Sequence, residues 1–276
     1  MVLDGKALRD KTFANLKDKI KTLNLSLAII QIGDDEASNV YIKQKKKMCE
    51  ELSIIFKHHK FAADVNETKV IQLISELNQD DTTGILLQLP VPPKFNASFL
   101  QNLIIPEKDI DGLTELSVGK LVCGNQGLMP CTAKGVVEML KAYAIPITGK
   151  HAVVVGRSNL VGKPTASLLL NENATVTVCH RYTENLKAFT SKADILVVAV
   201  GKKHLITADM VKKGAVIIDV GINKVDGKLY GDVDYEKVKT KCQYITPVPG
   251  GVGPMTIAML AQNIYEAYLL QKKTSD

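Results

Sequence analysis

Two residues four apart, Tyr41 and Lys45, are the first in this chain whose types and spacing suit chemistry. Residues 37–52 read as a helix, and a four-residue step keeps both side chains on one face. Lys43, Lys46 and Lys47 point elsewhere and belong to solvent. Taken alone, the Tyr-x-x-x-Lys spacing is a frequent coincidence and describes a solvated lysine equally well. Gln88 adds a second point. It stands at the end of an apolar run, 84–89 (GILLQL), followed by Pro90, Val91, Pro92 and Pro93. In open α/β sheets ligands bind beyond such strand ends. A buried glutamine needs hydrogen-bond partners, and a lysine ammonium is a suitable one. Tying down the proline-rich loop is the plainer role for the same residue.

Asp109 and Asp111 lie in KDIDGL, with too few further oxygen ligands for a calcium loop. An acid before glycine usually makes a turn; an acid serving a site here would suit a ligand rich in N–H donors. The segment 246–256, TPVPGGVGPMT, combines glycines and prolines just before a helix, allowing close approach of main chain to a ligand or a rigid connection between domains. His58 and His59 are adjacent and alternate across a strand, which makes them poor co-ligands. HExxH, GxSxG and Walker A patterns do not occur, so no metal site and no serine-hydrolase elbow are expected. Cys131, between Pro130 and Thr132, reads as a small packed residue or a thiol near the site.

A nucleotide site is suggested at VVVGRSNLVGKP, 153–164. Gly156 and Gly162 are six apart without the middle glycine of GxGxxG, so the motif alone is weak. Its context is stronger: an apolar strand precedes it and a helix N-terminus follows, where free amides can hold a phosphate. Lys163 adds positive charge. An NAD-binding unit usually ends its second strand in an acid for the ribose hydroxyls. This chain has Cys179, His180, Arg181 and Tyr182 there, and Arg181 with Arg157 could clamp a 2′-phosphate. The cofactor predicted is NADP rather than NAD.

The elements that must carry these residues alternate. Helical spacing runs from Leu8 to Ile20, followed by strands at 26–32, 54–61 and 84–89 with helices at 37–52 and 67–77 between them. The stretch 106–131 is rich in glycine and proline and reads as loops lining a site. A helix at 132–143, with Thr132 able to cap it, precedes a second alternation. That block has strands at 151–155, 175–179, 195–200, 215–220 and 243–245, a helix at 162–170, and a last helix from Pro254 to about 270. Such alternation implies parallel sheets with covered faces. The expectation is two α/β domains with an active-site cleft between them. Residues 1–145, completed by 255–276, form the catalytic one, and 146–254 a Rossmann-like nucleotide-binding one.

Composition agrees. A chain of 276 residues favours two domains, and 46% hydrophobic with 23% charged residues can bury a sizeable core. With no Trp and 5% aromatics, stacking platforms for single-stranded nucleic acid are not expected. The charge of +6 is spread along the chain, which suits a small anionic ligand better than DNA. Five cysteines without a CxxC fit a reducing compartment. The first ten residues lack the apolar core of a secretory signal, and no apolar run spans a bilayer, so a cytoplasmic location away from membranes is expected.

The motifs YIKQK (41–45), QLPVP (88–92), DIDG (109–112), PCT (130–132), VGRS (155–158) and PVPGGVGPMT (247–256) occur in order along essentially the whole chain. Together they resemble the bifunctional methylenetetrahydrofolate dehydrogenase/methenyltetrahydrofolate cyclohydrolase family, in its short bacterial form. The resemblance implies oxidation of 5,10-methylenetetrahydrofolate with NADP, then hydrolysis of the methenyl cation to 10-formyltetrahydrofolate. It also implies roles: Lys45 as the key cyclohydrolase residue, Gln88 holding it, Tyr41 against the folate and Asp111 on the pterin nitrogens. Pro249, Gly250, Gly251 and Gly253 would lie against folate and nicotinamide. Gly156, Arg157, Ser158, Arg181 and the backbone around Ile222 would bind NADP. A homodimer is implied as well. Two other readings differ in class: a dehydrogenase without cyclohydrolase activity, which Tyr41, Lys45 and Gln88 together argue against, and a non-catalytic nucleotide- or nucleic-acid-binding protein, suggested by the pI of 8.9.

Overall fold

A computed structural model describes residues 1–273. Its first block runs α1 (Gly5–Ile20), β1 (Ser26–Ile32), α2 (Glu36–Glu51), β2 (Ile55–Phe61), α3 (Glu67–Gln79), β3 (Gly84–Leu87), α4 (Ala97–Asn102), α5 (Glu115–Val122) and α6 (Cys131–Ala142). The second runs β4 (His151–Val155), α7 (Gly162–Asn171), β5 (Thr175–Cys179), α8 (Leu186–Thr190), β6 (Ile195–Val198), β7 (Val216–Asp219), β8 (Asn223–Val225), β9 (Lys228–Tyr230), α9 (Tyr235–Val238), β10 (Tyr244–Ile245) and α10 (Val252–Lys273). The chain forms two compact units, one of Thr12–Cys131 with the residues from Ile257 onward, the other of Met1–Lys11 with Thr132–Thr256.

The first unit contains a three-stranded parallel sheet in the order β2-β1-β3. Every residue of β1, SLAIIQI, is buried, as a central strand with both faces covered must be. β2 lies at the edge, and none of its residues is fully buried. Val70, Ile74 and Leu77 of α3 form one buried stripe at helical spacing. They pack with Ala28, Ile30, Ile85 and Leu87 from the sheet. The end of α10 is tied to this unit by Gln271, whose amide donates to the carbonyls of Thr83 and Glu107.

The second unit contains a five-stranded parallel sheet in the order β10-β7-β6-β4-β5. Its central strands are apolar and buried, and Val153, Val155, Leu196, Val198 and Ile217 lead its core. The N-terminal residues extend this sheet: Leu3 N–H donates to Ile245 O at 2.9 Å, and Ile245 N–H to Met1 O at 3.1 Å.

Four local features depart from the sequence reading. The segment 106–131 includes a helix, α5, capped by Thr114 Oγ1 accepting from Ser117 N–H. Thr132 lies inside α6 instead of capping it, and its hydroxyl pairs with that of Thr256 at 3.1 Å. α10 starts at Val252, so Pro254 sits within the first turn, where its missing N–H costs nothing. β8 and β9 form a hairpin around Asp226 and Gly227, both at positive φ, the pattern of a type I′ turn.

Candidate functional site

Lys45 is brought to Gln88 by the first unit's sheet. Asp35 starts α2 by accepting from Ser38 N–H at 2.7 Å, and Lys45 lies on that helix, partly buried. Gln88 follows β3, and its backbone N–H donates to Ile30 O. Its amide NH₂ donates to Leu89 O at 2.8 Å, which leaves Oε1 to accept from Lys45 Nζ at 3.0 Å. Ser38 Oγ donates to the same Leu89 carbonyl, so α2 and the loop after β3 are joined at two places. Tyr41, one turn before Lys45, is 42% exposed, leaving its ring accessible to a ligand.

Charge at this site is strained by burial. Desolvation holds the Lys45 ammonium below the usual lysine range, against the opposing pull of Asp111 and Cys131. Desolvation likewise raises Asp111, with nearby Asp109 adding to the rise and Lys45 and a Cys131 hydrogen bond opposing it. Burial therefore moves both groups toward their neutral forms. A lysine so placed can exchange a proton nearer neutrality than a solvated one.

The two acids of DIDG separate in role. Asp109 is a turn residue, accepting from the backbone N–H of Leu113 and Thr114. Asp111 faces the lysine. Gly112, at φ +65°, is required beside it, since a Cβ there would stand 2.5 Å from the Met129 carbonyl carbon. Cys131 Sγ donates to Ile110 O, a packed thiol that still borders Asp111. Asn263 of α10 was not singled out by motif or spacing. Fully buried, it donates to Ile110 O and Met129 O at 2.8 Å each and so fixes the backbone next to Asp111. The available signal was an asparagine within the mostly apolar stretch MLAQNIYEAYLL, beside Gln262 and near Glu266.

In the five-stranded unit, the turn after β4 is built by contacts only glycine allows. A Cβ on Gly162 would lie 2.2 Å from Gly156 O, and one on Gly156, at φ +132°, 2.3 Å from Ala199 O. Ser158 Oγ accepts from Val161 and Gly162 N–H, closing the entry to α7. Arg157 and Arg181 converge on the exposed ring of Tyr182, with guanidinium carbons 5.5 and 4.7 Å from its centroid. Arg181 also donates to the Tyr182 hydroxyl at 2.6 Å. Tyr182 thus gathers the two arginines. Ile222 is exposed beyond β7.

The glycine-proline segment is pinned by the N-terminus: Gly5 N–H donates to Gly250 O at 3.0 Å, and a Cβ on Gly5 would lie 1.8 Å from Gly251 O. Gly250 has φ +111°, Gly251 is packed against Pro247, and Gly253 faces open space. The Val248–Pro249 and Leu89–Pro90 bonds are cis. Among the described residues no His/Cys/Asp/Glu group is arranged to hold a metal, and no helix is long and apolar enough to cross a membrane.

Comparison with known proteins accounts for both units. Residues 3–111 match the model of the tetrahydrofolate dehydrogenase/cyclohydrolase catalytic domain, and residues 130–272 that of the family's NAD(P)-binding domain. The chain is 51% identical over 269 residues to the bifunctional protein FolD of Bacillus licheniformis, covering 95% of each. Among solved structures, it is similar to the bifunctional FolD methylenetetrahydrofolate dehydrogenase/cyclohydrolase of Campylobacter jejuni, with a TM-score of 0.95, 46% identity and coverage of 98% of this chain and 99% of that one. The Trypanosoma brucei enzyme, solved with NADP and an inhibitor, gives a TM-score of 0.93 at 33% identity and 98% coverage of both chains. With both family models matched in order and half the residues shared with a full-length relative, this chain belongs to the tetrahydrofolate dehydrogenase/cyclohydrolase family.

Proposed function

We propose that this protein oxidises 5,10-methylenetetrahydrofolate to the methenyl cation with NADP and hydrolyses that cation to 10-formyltetrahydrofolate, with Lys45 as the group that handles the proton. The observation that carries the reading is the Lys45 Nζ–Gln88 Oε1 bond at 3.0 Å, beside a desolvated Asp111.

The five-stranded unit suits the nucleotide. Gly156 and Gly162 leave no side chain between the turn and a phosphate, α7 offers its N-terminal amides, and Arg157 and Arg181 are already drawn together by Tyr182. No acid stands just after β5 to repel a 2′-phosphate. Bound NADP supplies the acceptor for the hydride leaving the methylene carbon. Ser158 shapes the turn, and the backbone around Ile222 offers further contacts.

In the hydrolytic step water adds to the methenyl carbon and the bond from that carbon to N5 breaks. One proton of the water ends on N5, and the other leaves. Lys45 is the base for the leaving proton: a free lysine, with pKa near ~10.4, is a poor base at neutral pH, and burial corrects this. Gln88 accepts from Nζ and holds it in place. Asp111 binds the pterin N–H groups, Tyr41 packs along the folate, and the bare backbone of Pro249, Gly250, Gly251 and Gly253 allows close approach.

Lys45→Met should abolish cyclohydrolase activity, followed as loss of methenyl-folate absorbance, while NADP binding and circular dichroism are retained. Wild-type hydrolysis by the variant would remove Lys45 from the mechanism.

We further infer a cytoplasmic homodimer that binds no nucleic acid. Five cysteines with no CxxC among them support a reducing compartment. The edge strand β5, with Val178 exposed, supports pairing through the five-stranded unit. A monomer by light scattering at micromolar concentration would refute the dimer.

A further inference from the structure

Two buried carboxylates lie outside the groups assigned above. Asp232 is fully buried, and its carboxylate accepts from three successive backbone N–H groups beyond β6: Val200 at 2.7 Å, Gly201 at 3.0 Å and Lys202 at 2.8 Å. Asn223 Nδ2, beyond β7, donates to it at 2.9 Å. Consecutive amides turned to one side form an anion-binding nest, and here the anion is the protein's own side chain.

Asp219, at the end of β7, stands behind Asp232. It accepts from the backbone N–H of Gly221, Asp232 and Val233 at 2.9–3.0 Å. Its own N–H donates to Thr246 Oγ1 at 2.7 Å, the residue that opens the glycine-proline segment. Two glycines are reserved for the pair: a Cβ on Gly221 would meet the Asp232 carboxylate at 2.1 Å, and one on Gly231 the Asp219 carboxylate at 1.9 Å. The loops at the C-terminal ends of β6, β7 and β10 are thus joined through two carboxylates and one hydroxyl.

The outer side of these loops is open. Gly201, at φ +72°, turns its amide inward to Asp232 and has nothing within 4 Å of where a Cβ would be. Val200 and Ile222, 46% and 49% exposed, flank the same anchor. Exposed apolar side chains beside bare backbone, beyond the ends of parallel strands, suit the planar ring of a nucleotide. Loops in that position bind well only if they are held in one arrangement before the ligand arrives.

We propose that Asp232, supported by Asp219, is a positioning residue for the dehydrogenase step, fixing the loops after β6 and β7 against which the nucleotide lies. This rests on the NADP reading above. It predicts a split between activities, because hydrolysis of preformed methenyltetrahydrofolate needs no nucleotide.

The test uses the full-length protein and the variants Asn223→Ala and Asp232→Asn. NADP affinity is measured by calorimetry, dehydrogenase KM and kcat separately, and cyclohydrolase on preformed methenyltetrahydrofolate. Losing a hydrogen bond to a charged group should weaken NADP binding about tenfold in Asn223→Ala, and more in Asp232→Asn. The effect should fall on KM for NADP, with cyclohydrolase within about twofold of wild type. If Asp232→Asn does not fold, Asn223→Ala decides. Unchanged NADP affinity in a folded Asn223→Ala overturns the proposal, as does a parallel fall of both activities. A wild-type protein that binds no NADP would refute the functional reading itself and this proposal with it.

Discussion

Lys45 and Asp111 act on each other through charge, and that coupling can be read in a pH profile. Burial depresses Lys45 while Asp111 holds it up. Only the neutral amine is a base, so the hydrolytic rate should rise with pH and level off below the ordinary lysine value of ~10.4. Asp111→Asn removes the main group supporting the ammonium. Its inflection should move to lower pH, alongside a higher KM for folate, in a stopped-flow profile from pH 6 to 10. An inflection that stayed in place would mean the two groups are not coupled. At the nucleotide site, Arg157→Ala with Arg181→Ala should cost NADP about 2 kcal/mol or more and leave NAD nearly unaffected, as bidentate phosphate contacts are lost. Equal losses for both nucleotides would reassign the arginines. Tyr182→Leu should give a smaller loss of the same sign, because it disperses the pair without removing charge.

Among the elements, the turn from β4 into α7 and the strand β7 make the sharpest demands. Gly162→Ala would force a methyl group to 2.2 Å from Gly156 O, so the start of α7 must shift. A cost of about 1–3 kcal/mol is expected, as for overpacking. Dehydrogenase activity should fall much further than cyclohydrolase, because the turn belongs to the five-stranded unit and Lys45 to the other. Asp219 carries the second prediction. Burial, with Asp232 nearby, pushes its carboxyl up to about 7 against the pull of three backbone donors. Its ordinary value is near ~3.9, so between about pH 4 and 7 the native state holds a proton that the unfolded chain has released. That contribution is present at low pH and lost as pH rises through 7. Asp219→Asn cannot titrate, so the stability difference should move in the variant's favour between pH 5 and 7.5. Comparing variant with wild type cancels the opposite contribution of His58 and His59, both of which burial lowers. Denaturant melts at the two pH values would show it, and a pH-independent difference would place the Asp219 pKa outside that window.

At the scale of the whole molecule, the two ends of the chain finish structures begun far away. Met1 and Leu3 extend the sheet edge at Ile245, and Asn263 and Gln271 satisfy carbonyls between residues 83 and 129. Asn263→Leu takes the amide donor from Met129 O and leaves Ile110 O only the weaker Cys131 thiol, at about 1–3 kcal/mol. A melting temperature several degrees lower and a raised KM for folate through displaced Asp111 are expected. Full retention of both would show that other groups position the DIDG turn.

What the sequence determined by itself is whatever repeats along the chain or depends on residue type alone. The apolar runs and amphipathic helices mark nearly every strand and long helix within a few residues. Arg181 stands just after β5, where an acid would serve NAD, and is the sequence basis for proposing NADP. α5 was hidden by the glycines around it, although Thr114 and Glu115 form a capping start, and the β8–β9 hairpin had its Asp-Gly signal in plain view. Tertiary structure alone decided which polar residues are buried and what they bond. Gln88 and Lys45 are 43 positions apart, Asn263 and Ile110 153, and Asp232 reaches Val200 across 32. Nothing periodic encodes such pairs. A polar side chain's desolvation cost and its partner both come from chain segments that meet only on folding, so sequence marks these residues as candidates and packing gives them their roles.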